Sequence, residues 1–273
     1  MRYLVLLLLL PLLLPAQAFR KSENRRIQPG MRLETWNGTH PKWGRQYVLL
    51  LKARKNHWRL DLAYSLDSLL PTSTFAQRVK AAVAVNGGFF DMKVGGSVTF
   101  LQSDGKPINE NKPNILEEGN EIGAFAILLY PNGDANLSPT VGSRKHPSMS
   151  GAEDAMVTGP LLVWNSQPHS LKKRPFNDLR HPRTAVCLSS KQVWLLTADG
   201  RHQEAEGLSL PELTQFLIDQ GCPTAINLDG GGSTTMYLEG EGVINHPSDN
   251  KKFDREGERR VANILYLRSN RTN

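Results

Sequence analysis

The stretch Ile226-Asn227-Leu228-Asp229-Gly230-Gly231-Gly232-Ser233-Thr234-Thr235-Met236-Tyr237-Leu238 decides how this chain is read. Its left flank, residues 224–228, is a short apolar run with the length and composition of a buried strand. One carboxylate, three consecutive glycines and three hydroxyls follow. Consecutive glycines cost backbone entropy, so a folded domain keeps them where the backbone must do what a side chain forbids. A turn that aims several N–H groups into one concavity binds an anion, and that is the expected use here. Asp229 then ends a strand beside an anion cradle, which implies chemistry on a phosphorylated or otherwise anionic substrate. The competing reading is an ordinary loop with Asp229 solvated at its start. A nucleotide P-loop is excluded, because it needs Gly-Lys-Ser/Thr opening a helix and this stretch has no lysine. Residues 233–238, rich in Thr and Tyr, predict a second strand.

Outward from this stretch, other predicted strands also end in polar and glycine residues. Residues 82–85 run into Asn86-Gly87-Gly88-Phe89-Phe90-Asp91, where Asn-Gly favours a tight turn and two aromatics suit a pocket wall. Arg183-Thr184 opens a strand over 185–189, and 193–197 meets Asp199-Gly200-Arg201. Asn263 lies in a last strand over 261–267. Further strands are expected at 46–54, 58–64, 95–103, 121–130 and 161–164. The second of these alternates Trp58, Leu60 and Leu62 with Arg59, Asp61 and Ala63, a half-buried pattern. One helix is expected over 73–81. A second opens at the capping box Ser209-x-x-Glu212, carries Leu210, Leu213, Phe216 and Leu217 on one side, and stops at Gly221. Strands dominate and many are joined by hairpins. The expected fold is therefore a single-domain α+β structure with largely antiparallel or mixed sheets and a few flanking helices.

The chain has 273 residues, and 39% of them are hydrophobic, enough for a real core. Residues 1–18 read as a cleaved secretory signal: Arg2, an apolar run over 4–14, then Ala16-Gln17-Ala18. That run is too short and too proline-interrupted for stable membrane insertion, so an exported protein, periplasmic or extracellular, is expected. Residues 19–45 read as a polar, basic extension that wraps the surface, and 46–268 as the functional domain. The net charge of +7 is spread along the chain. The densest basic stretch, 169–183, reads as a solvated loop, and an anionic substrate fits better than nucleic acid, for which no reader motif is present. Cys187 and Cys222 form either one disulfide or two buried thiols. The seven histidines are scattered, so no metal and no other cofactor is expected.

Taken in order, Asn86-Gly87-Gly88-Phe89-Phe90, Arg183-Thr184-Ala185, Asp199-Gly200-Arg201 and Leu228-Asp229-Gly230-Gly231-Gly232-Ser233-Thr234 resemble the phosphodiester glycosidase family. The resemblance covers roughly residues 80–268, and the Asp-Gly-Gly-Gly-Ser element is its most specific part. It implies hydrolysis of the bond between a sugar's anomeric carbon and phosphate in a sugar-1-phosphodiester, N-acetylglucosamine-1-phosphodiester among them. Asp229 is the expected catalytic carboxylate, with Asp199 and Asp91 in reserve. The expected binding set is Asn86, Gly87, Gly88, Phe89, Arg183, Thr184, Arg201, Gly230, Gly231, Gly232, Ser233, Thr234 and Asn263. Arg183 is expected to hold phosphate through a bidentate guanidinium, and the glycine amides to complete the cradle. The alternative of another class is a secreted glycan- or phosphopolymer-binding module in which the glycines only shape a groove.

Overall fold

In the computed structural model, which describes residues 18–112, 115, 120–140, 149 and 151–270, three sheets share one core. The expected signal segment lies outside these residues except for Ala18. The largest sheet has eight strands. In spatial order they are β1 (Arg20–Gln28), β2 (Met31–His40), β3 (Gly44–Arg54), β15 (Gln192–Ala198), β14 (Arg183–Leu188), β16 (Ala225–Asn227), β12 (Leu161–Trp164) and β13 (Gln167–Pro168). A five-stranded sheet runs β10 (Ala135–Pro139), β9 (Phe125–Leu129), β11 (Asp154–Thr158), β7 (Leu101–Ser103) and β8 (Lys106–Asn109). A second five-stranded sheet runs β18 (Gly242–Val243), β17 (Met236–Leu238), β6 (Val83–Asn86), β20 (Asn263–Ser269) and β4 (Trp58–Tyr64). The short strands β5 (Leu70–Pro71) and β19 (Arg260–Val261) pair with each other. Neighbouring strands pair antiparallel throughout, and three α-helices flank them: α1 (Thr72–Arg78), α2 (Pro175–Asp178) and α3 (Leu210–Asp219). The fold is α+β.

Continuous apolar runs explain why the central strands β14 and β15 of the large sheet are buried on both faces. Along β14 and β15, Val186, Leu188, Val193 and Leu195 face the core shared with the other sheets. Ala185, Cys187, Trp194 and Leu196 face the opposite way, under Leu210, Leu213, Phe216 and Leu217 of α3. A strand buried on both faces reads as a continuous apolar run, and these two do. The capping box opens α3: Ser209 Oγ accepts from the Glu212 N–H and the Glu212 carboxylate accepts from the Ser209 N–H. Such a cap stabilises a helix by about 1 kcal/mol. Past the helix the chain turns at Gly221 with φ +81°. Cys222 then bridges to Cys187 across a Cα–Cα distance of 6.1 Å, which decides between the disulfide and the two thiols. Closing that loop stabilises the fold by roughly 3–4 kcal/mol in the chain-entropy account.

Several expected boundaries move. The basic segment 19–45 is the β1–β2 hairpin at the sheet edge; β1 is mostly exposed, but Met31 and Leu33 of β2 enter the main core. Over 233–238 only Met236–Leu238 is strand, because Gly231–Ser233 coils into one 3-10 turn. The last strand is broken at Ala262: Arg260–Val261 leaves to pair with Leu70–Pro71, and Asn263 starts β20. Registers then bring the polar strand ends together. Ile264 pairs with Asn86, Arg183 with Ala198, and Asn227 with Ala185. The exits of β6, β15 and β16 and the entrances of β14 and β20 therefore lie at one end of the sheets.

Candidate active site

Two backbone bonds carry the glycine turn. Leu228 N–H donates to Thr184 O at 2.9 Å, and Asp229 N–H donates to Gly87 O at 3.0 Å, so the turn after β16 is fastened to both sheets. Asn86 is the clamp between them. It is fully buried; its Nδ2 donates to Asp229 O at 2.7 Å, and its Oδ1 accepts from Thr184 Oγ1 at 2.7 Å and Thr235 N–H at 3.2 Å. Thr234 Oγ1 lies 3.4 Å from Thr184 Oγ1. Asn263 does the same for the other turn, accepting from Gly88 N–H at 2.6 Å through Oδ1. Asn86, Thr184, Thr234 and Asn263 thus hold the two turns in place from within the protein.

The glycines serve close approach more than anion binding. A Cβ on Gly87 would collide with the Asn263 side chain, one on Gly230 with Pro182 O, and one on Gly232 with the paired Asp249 and Arg259 side chains. At Gly231, with φ +62°, it would lie 2.9 Å from Arg201 Nη2. Of the expected amide donors, Gly230 N–H is taken by Asp229 Oδ1 at 2.9 Å and Gly231 N–H by Pro182 O at 2.9 Å. Only the Gly232 N–H has no partner among the described residues, so the three-amide cradle is corrected to one free amide. Gly88 packs against Met156, and the Phe89 ring lies 6.1 Å from the Phe176 ring as a partial wall.

The Asp229 carboxyl sits among these groups, partly exposed. Its burial pushes the pKa up to about 6, against the lowering influence of Ser233, the Gly230 N–H, Arg259 and Arg201. Ser233 is buried, and its Oγ lies beside Asp229 without a hydrogen bond of good geometry. Two guanidiniums flank the carboxyl. Arg201, exposed and held at φ +63°, lies over Gly231 and makes no hydrogen bond or ion pair to a described residue. A non-glycine residue in the left-handed region is uncommon and marks a position held by its surroundings. Arg259 is forked onto Asp249, with Nε and Nη2 each 2.7 Å from a carboxylate oxygen, above Gly232.

Arg183 and the two reserve carboxylates are placed differently from expectation. Arg183 is 2% exposed: Nε donates to Leu208 O, and Nη2 to Phe176 O and Leu179 O, at 2.7–2.9 Å. Burial, then Arg201, lowers its pKa to about 10. Its fork therefore holds protein backbone, leaving Nη1 as the nitrogen without a partner among the described residues. Asp91 is an Asx turn: it accepts from Lys93 and Val94 N–H groups and pairs with Lys112 Nζ at 2.6 Å, which holds its pKa at about 2. None of these partners belongs to the glycine turn. Asp199 is 1% exposed, and desolvation pushes its pKa up. Oδ1 accepts from Asn245 Nδ2 at 2.9 Å; Oδ2 accepts from His246 N–H at 2.9 Å and lies 2.7 Å from His246 Nδ1. Both oxygens are thus engaged within the protein.

His246, Asp249 and Arg259 are absent from the expected set. They stand in the charged, irregular stretch 247–260 or just before it, where no periodicity marks them. The loop is ordered by the Asp249–Arg259 fork, by Asn250 donating to Asp254 at 2.7 Å, and by Phe253 stacking on His246. Among the described residues no group of three His, Cys, Asp or Glu side chains is arranged to hold a metal ion. Two surface grooves lie at the far end of the β14–β15 hairpin, around Lys55, Ser189, Ser190 and Pro223, away from Asp229.

A half-buried carboxyl thus stands between two guanidiniums on a glycine turn where two sheets meet. The chain belongs to the phosphodiester glycosidase family, whose model matches residues 79–268. Mouse N-acetylglucosamine-1-phosphodiester alpha-N-acetylglucosaminidase is 30% identical over 176 residues, covering 61% of this chain and 33% of the mouse protein. A prophage-derived uncharacterized protein of Bacillus subtilis is 27% identical over 219 residues, covering 72% and 32%. The chain thus spans about a third of the length of the curated relatives it matches. The fold is shared with the catalytic domain of the zebrafish N-acetylglucosamine-1-phosphodiester alpha-N-acetylglucosaminidase, at TM-score 0.67 and 20% identity over 91% of this chain and 86% of that one. It is shared too with a hypothetical protein from Synechocystis, at TM-score 0.70 and 15% identity over 90% and 63%.

Proposed function

We propose that this protein is a glycosidase that hydrolyses the bond between sugar C1 and phosphate oxygen in a sugar-1-phosphodiester of the N-acetylglucosamine-1-phosphodiester kind. The observation that carries the reading is Asp229, with its pKa raised to about 6, between Arg201 and Arg259 on the glycine turn. The diester phosphate lies against the Arg201 guanidinium, the Gly232 N–H and the open edge of Arg259. A guanidinium in such a place neutralises charge that grows on the departing phosphate. Asp229, ionised near neutral pH, lies at the anomeric carbon and stabilises its oxocarbenium character. Phosphate monoester is already a good leaving group, so no strong acid is required behind it. Ser233 and Thr234 shape the floor, and Phe89 contributes a wall for the sugar.

The relatives' names support the bond type, and the disulfide supports an oxidising compartment. A buried Cys187–Cys222 bridge fits an oxidising location such as the periplasm or the cell exterior. Among the described residues no helix is long and apolar enough to cross a membrane. The deciding experiment incubates purified protein with a panel of sugar-1-phosphodiesters and follows free reducing sugar against phosphomonoester. Equal release of both is expected. Binding without cleavage across the panel transfers the site to the glycan-binding reading.

A further inference from the structure

We propose that the far end of the eight-stranded sheet is a second binding site, a basic track for a linear glycan joined by phosphodiester links. The choice of a phosphodiester polymer rests on the glycosidase reading above; the charge of the track does not. Three grooves meet there, with cavity volumes of about 550, 720 and 330 Å³. The first two share Lys55, Ser189, Ser190 and Pro223, and the last two share Arg54 and Gln192. Six cations line them: Arg26, Arg32, Lys52, Arg54, Lys55 and Lys191. Among the described residues, no Asp or Glu lines any of the three.

Strand register stacks three of these charges in a row. Arg26 of β1 pairs with Arg32 of β2, Arg32 with Lys52 of β3, and Lys52 with Trp194 of β15. Directly opposed residues share a sheet face, and like charges so placed destabilise the pairing. Edge protection accounts for a cation on the outermost strand, but β2 and β3 lie inside the sheet. One carboxylate reaches the row: Glu34 lies 3.5 Å from Lys52 and is shared with Lys21 at 3.0 Å. Arg32 donates to Asn24 Oδ1 and Asn24 O, both neutral. Lys55 is half-buried, donates to Ala135 O at 3.3 Å, and feels Asp134 from outside the groove walls. Arg26, Arg54 and Lys191 are exposed, and their side chains make no hydrogen bond or ion pair to a described residue. A repulsive row kept without internal partners marks a functional surface.

The row selects a repeating anion. Neighbouring strands are about 5 Å apart, so the cations hold successive charges of one chain, where a small anion engages one or two. Asn56, Ser189, Ser190 and Gln192 add the amide and hydroxyl groups that match sugar hydroxyls. Nucleic acid without sequence preference uses aromatic plates on which bases stack. Trp194 offers none: it is 6% exposed, with Lys52 Nζ 4.4 Å from its ring centroid. The track also shares a strand with the candidate active site. Of the seven residues of β15, Gln192 lies at the track and Ala198 adjoins Asp199, roughly 20 Å away. A chain long enough to cover that distance occupies both, and its hold on the track raises the local concentration of its links at Asp229.

Polymer binding tests this. The probe is poly(N-acetylglucosamine 1-phosphate), titrated into Asp229→Asn so that the chain stays intact. In that background Arg26→Gln, Arg32→Gln, Arg54→Gln and Lys191→Gln together are expected to weaken binding at least about tenfold, the loss of four exposed ion contacts. A control removes as many charges elsewhere, changing the exposed Lys42, Lys80, Lys106 and Lys173 to Gln. Its binding is expected to stay within about threefold of the parent, because salt screens distant charges. With Asp229 restored, the track variant is expected to cleave the methyl diester of N-acetylglucosamine 1-phosphate with kcat and KM within about twofold of wild type. The proposal is overturned if the parent binds no polymer, or if the track variant binds it as tightly as the parent. It is equally overturned if the control loses as much, since net charge alone then explains the binding. Poly(dT) that displaces the polymer at equal phosphate concentration overturns the choice of a glycan. A wild type that leaves the methyl diester uncut, while polymer binding still depends on the four cations, sinks the glycosidase reading and keeps the track.

Discussion

The entrance of β14 and the exit of β15 are cross-strand neighbours, Arg183 opposite Ala198, and an arginine stands at or just past each. Their fates differ completely. At the entrance, the helical turn α2 and residue Leu208 crowd three carbonyls around Arg183, and its guanidinium is consumed in satisfying them. At the exit, Asp199 turns inward, Gly200 packs against Pro182, and Arg201 emerges at positive φ with its guanidinium over Gly231 and no hydrogen-bond partner among the described residues. Buried carbonyls without donors are expensive, so an arginine that meets them becomes structure. An arginine left over a glycine turn keeps its donors for a ligand.

The largest effect is expected from the carboxylate that sits beside Arg201. Asp229→Asn is expected to lower kcat by about 10³-fold or more, measured on a sugar-1-phosphodiester. The same variant sharpens the electrostatics. The folded pKa of about 6 exceeds the ordinary carboxylate value, so the ionised carboxyl costs stability above that pH. That cost is absent below about pH 4, grows towards pH 6 and is full above it. Asp229→Asn is therefore expected to melt higher than wild type at pH 7, by on the order of 1–3 kcal/mol in stability, and equally with it at pH 3.5. Wild-type activity is expected to fall on the acid side as Asp229 takes up its proton near pH 6. A melting point for Asp229→Asn that is unchanged between the two pH values, relative to wild type, breaks this account.

Arg183→Met comes next and tests the entrance. It keeps much of the volume but leaves the Phe176 and Leu179 carbonyls without this donor and Leu208 O with the His181 N–H alone. A loss of about 3 kcal/mol or more is expected, which for a chain of this size lowers Tm by roughly 6–12 °C. A variant that melts like wild type but binds substrate weakly would return Arg183 to the phosphate. Smallest is Arg201→Gly. Glycine accepts φ +63° without strain, so Tm is expected to rise slightly, by about 1–3 °C, while KM rises roughly tenfold or more with loss of a phosphate contact. A fall in Tm with KM unchanged would make Arg201 structural and erase the contrast with Arg183.

Much of the fold is legible in the residues themselves. The capping box at Ser209 and Glu212 appears as predicted because both partners lie within one helical turn. The apolar runs of β12, β14 and β15 are strands because alternating faces meet two separate cores. Boundaries fail where a distant partner decides them. Ala262 breaks the last strand because Val261 finds Leu70, 191 residues earlier, and the glycines before Met236 coil instead of extending because Gly230 and Gly231 accept from Ser233 and Thr234. The edge hairpin β1–β2 escaped notice because its outer strand is polar; Met31 and Leu33 mark only the inner one.

The sequence by itself determined an α+β chain with polar strand ends, a family, and one carboxylate among glycines. Those follow from periodicity, local capping and contiguous motif residues, all of which act over a few positions. Tertiary structure decided which charges are free. Asp199 meets His246 across 47 residues, Arg183 is spent on carbonyls from two other segments, and Arg259 reaches the glycine turn from a loop with no periodic signal. The availability of a charged group depends on every hydrogen-bond partner that packing brings to it and on the water that packing removes. Neither quantity exists until the sheets have closed on one another.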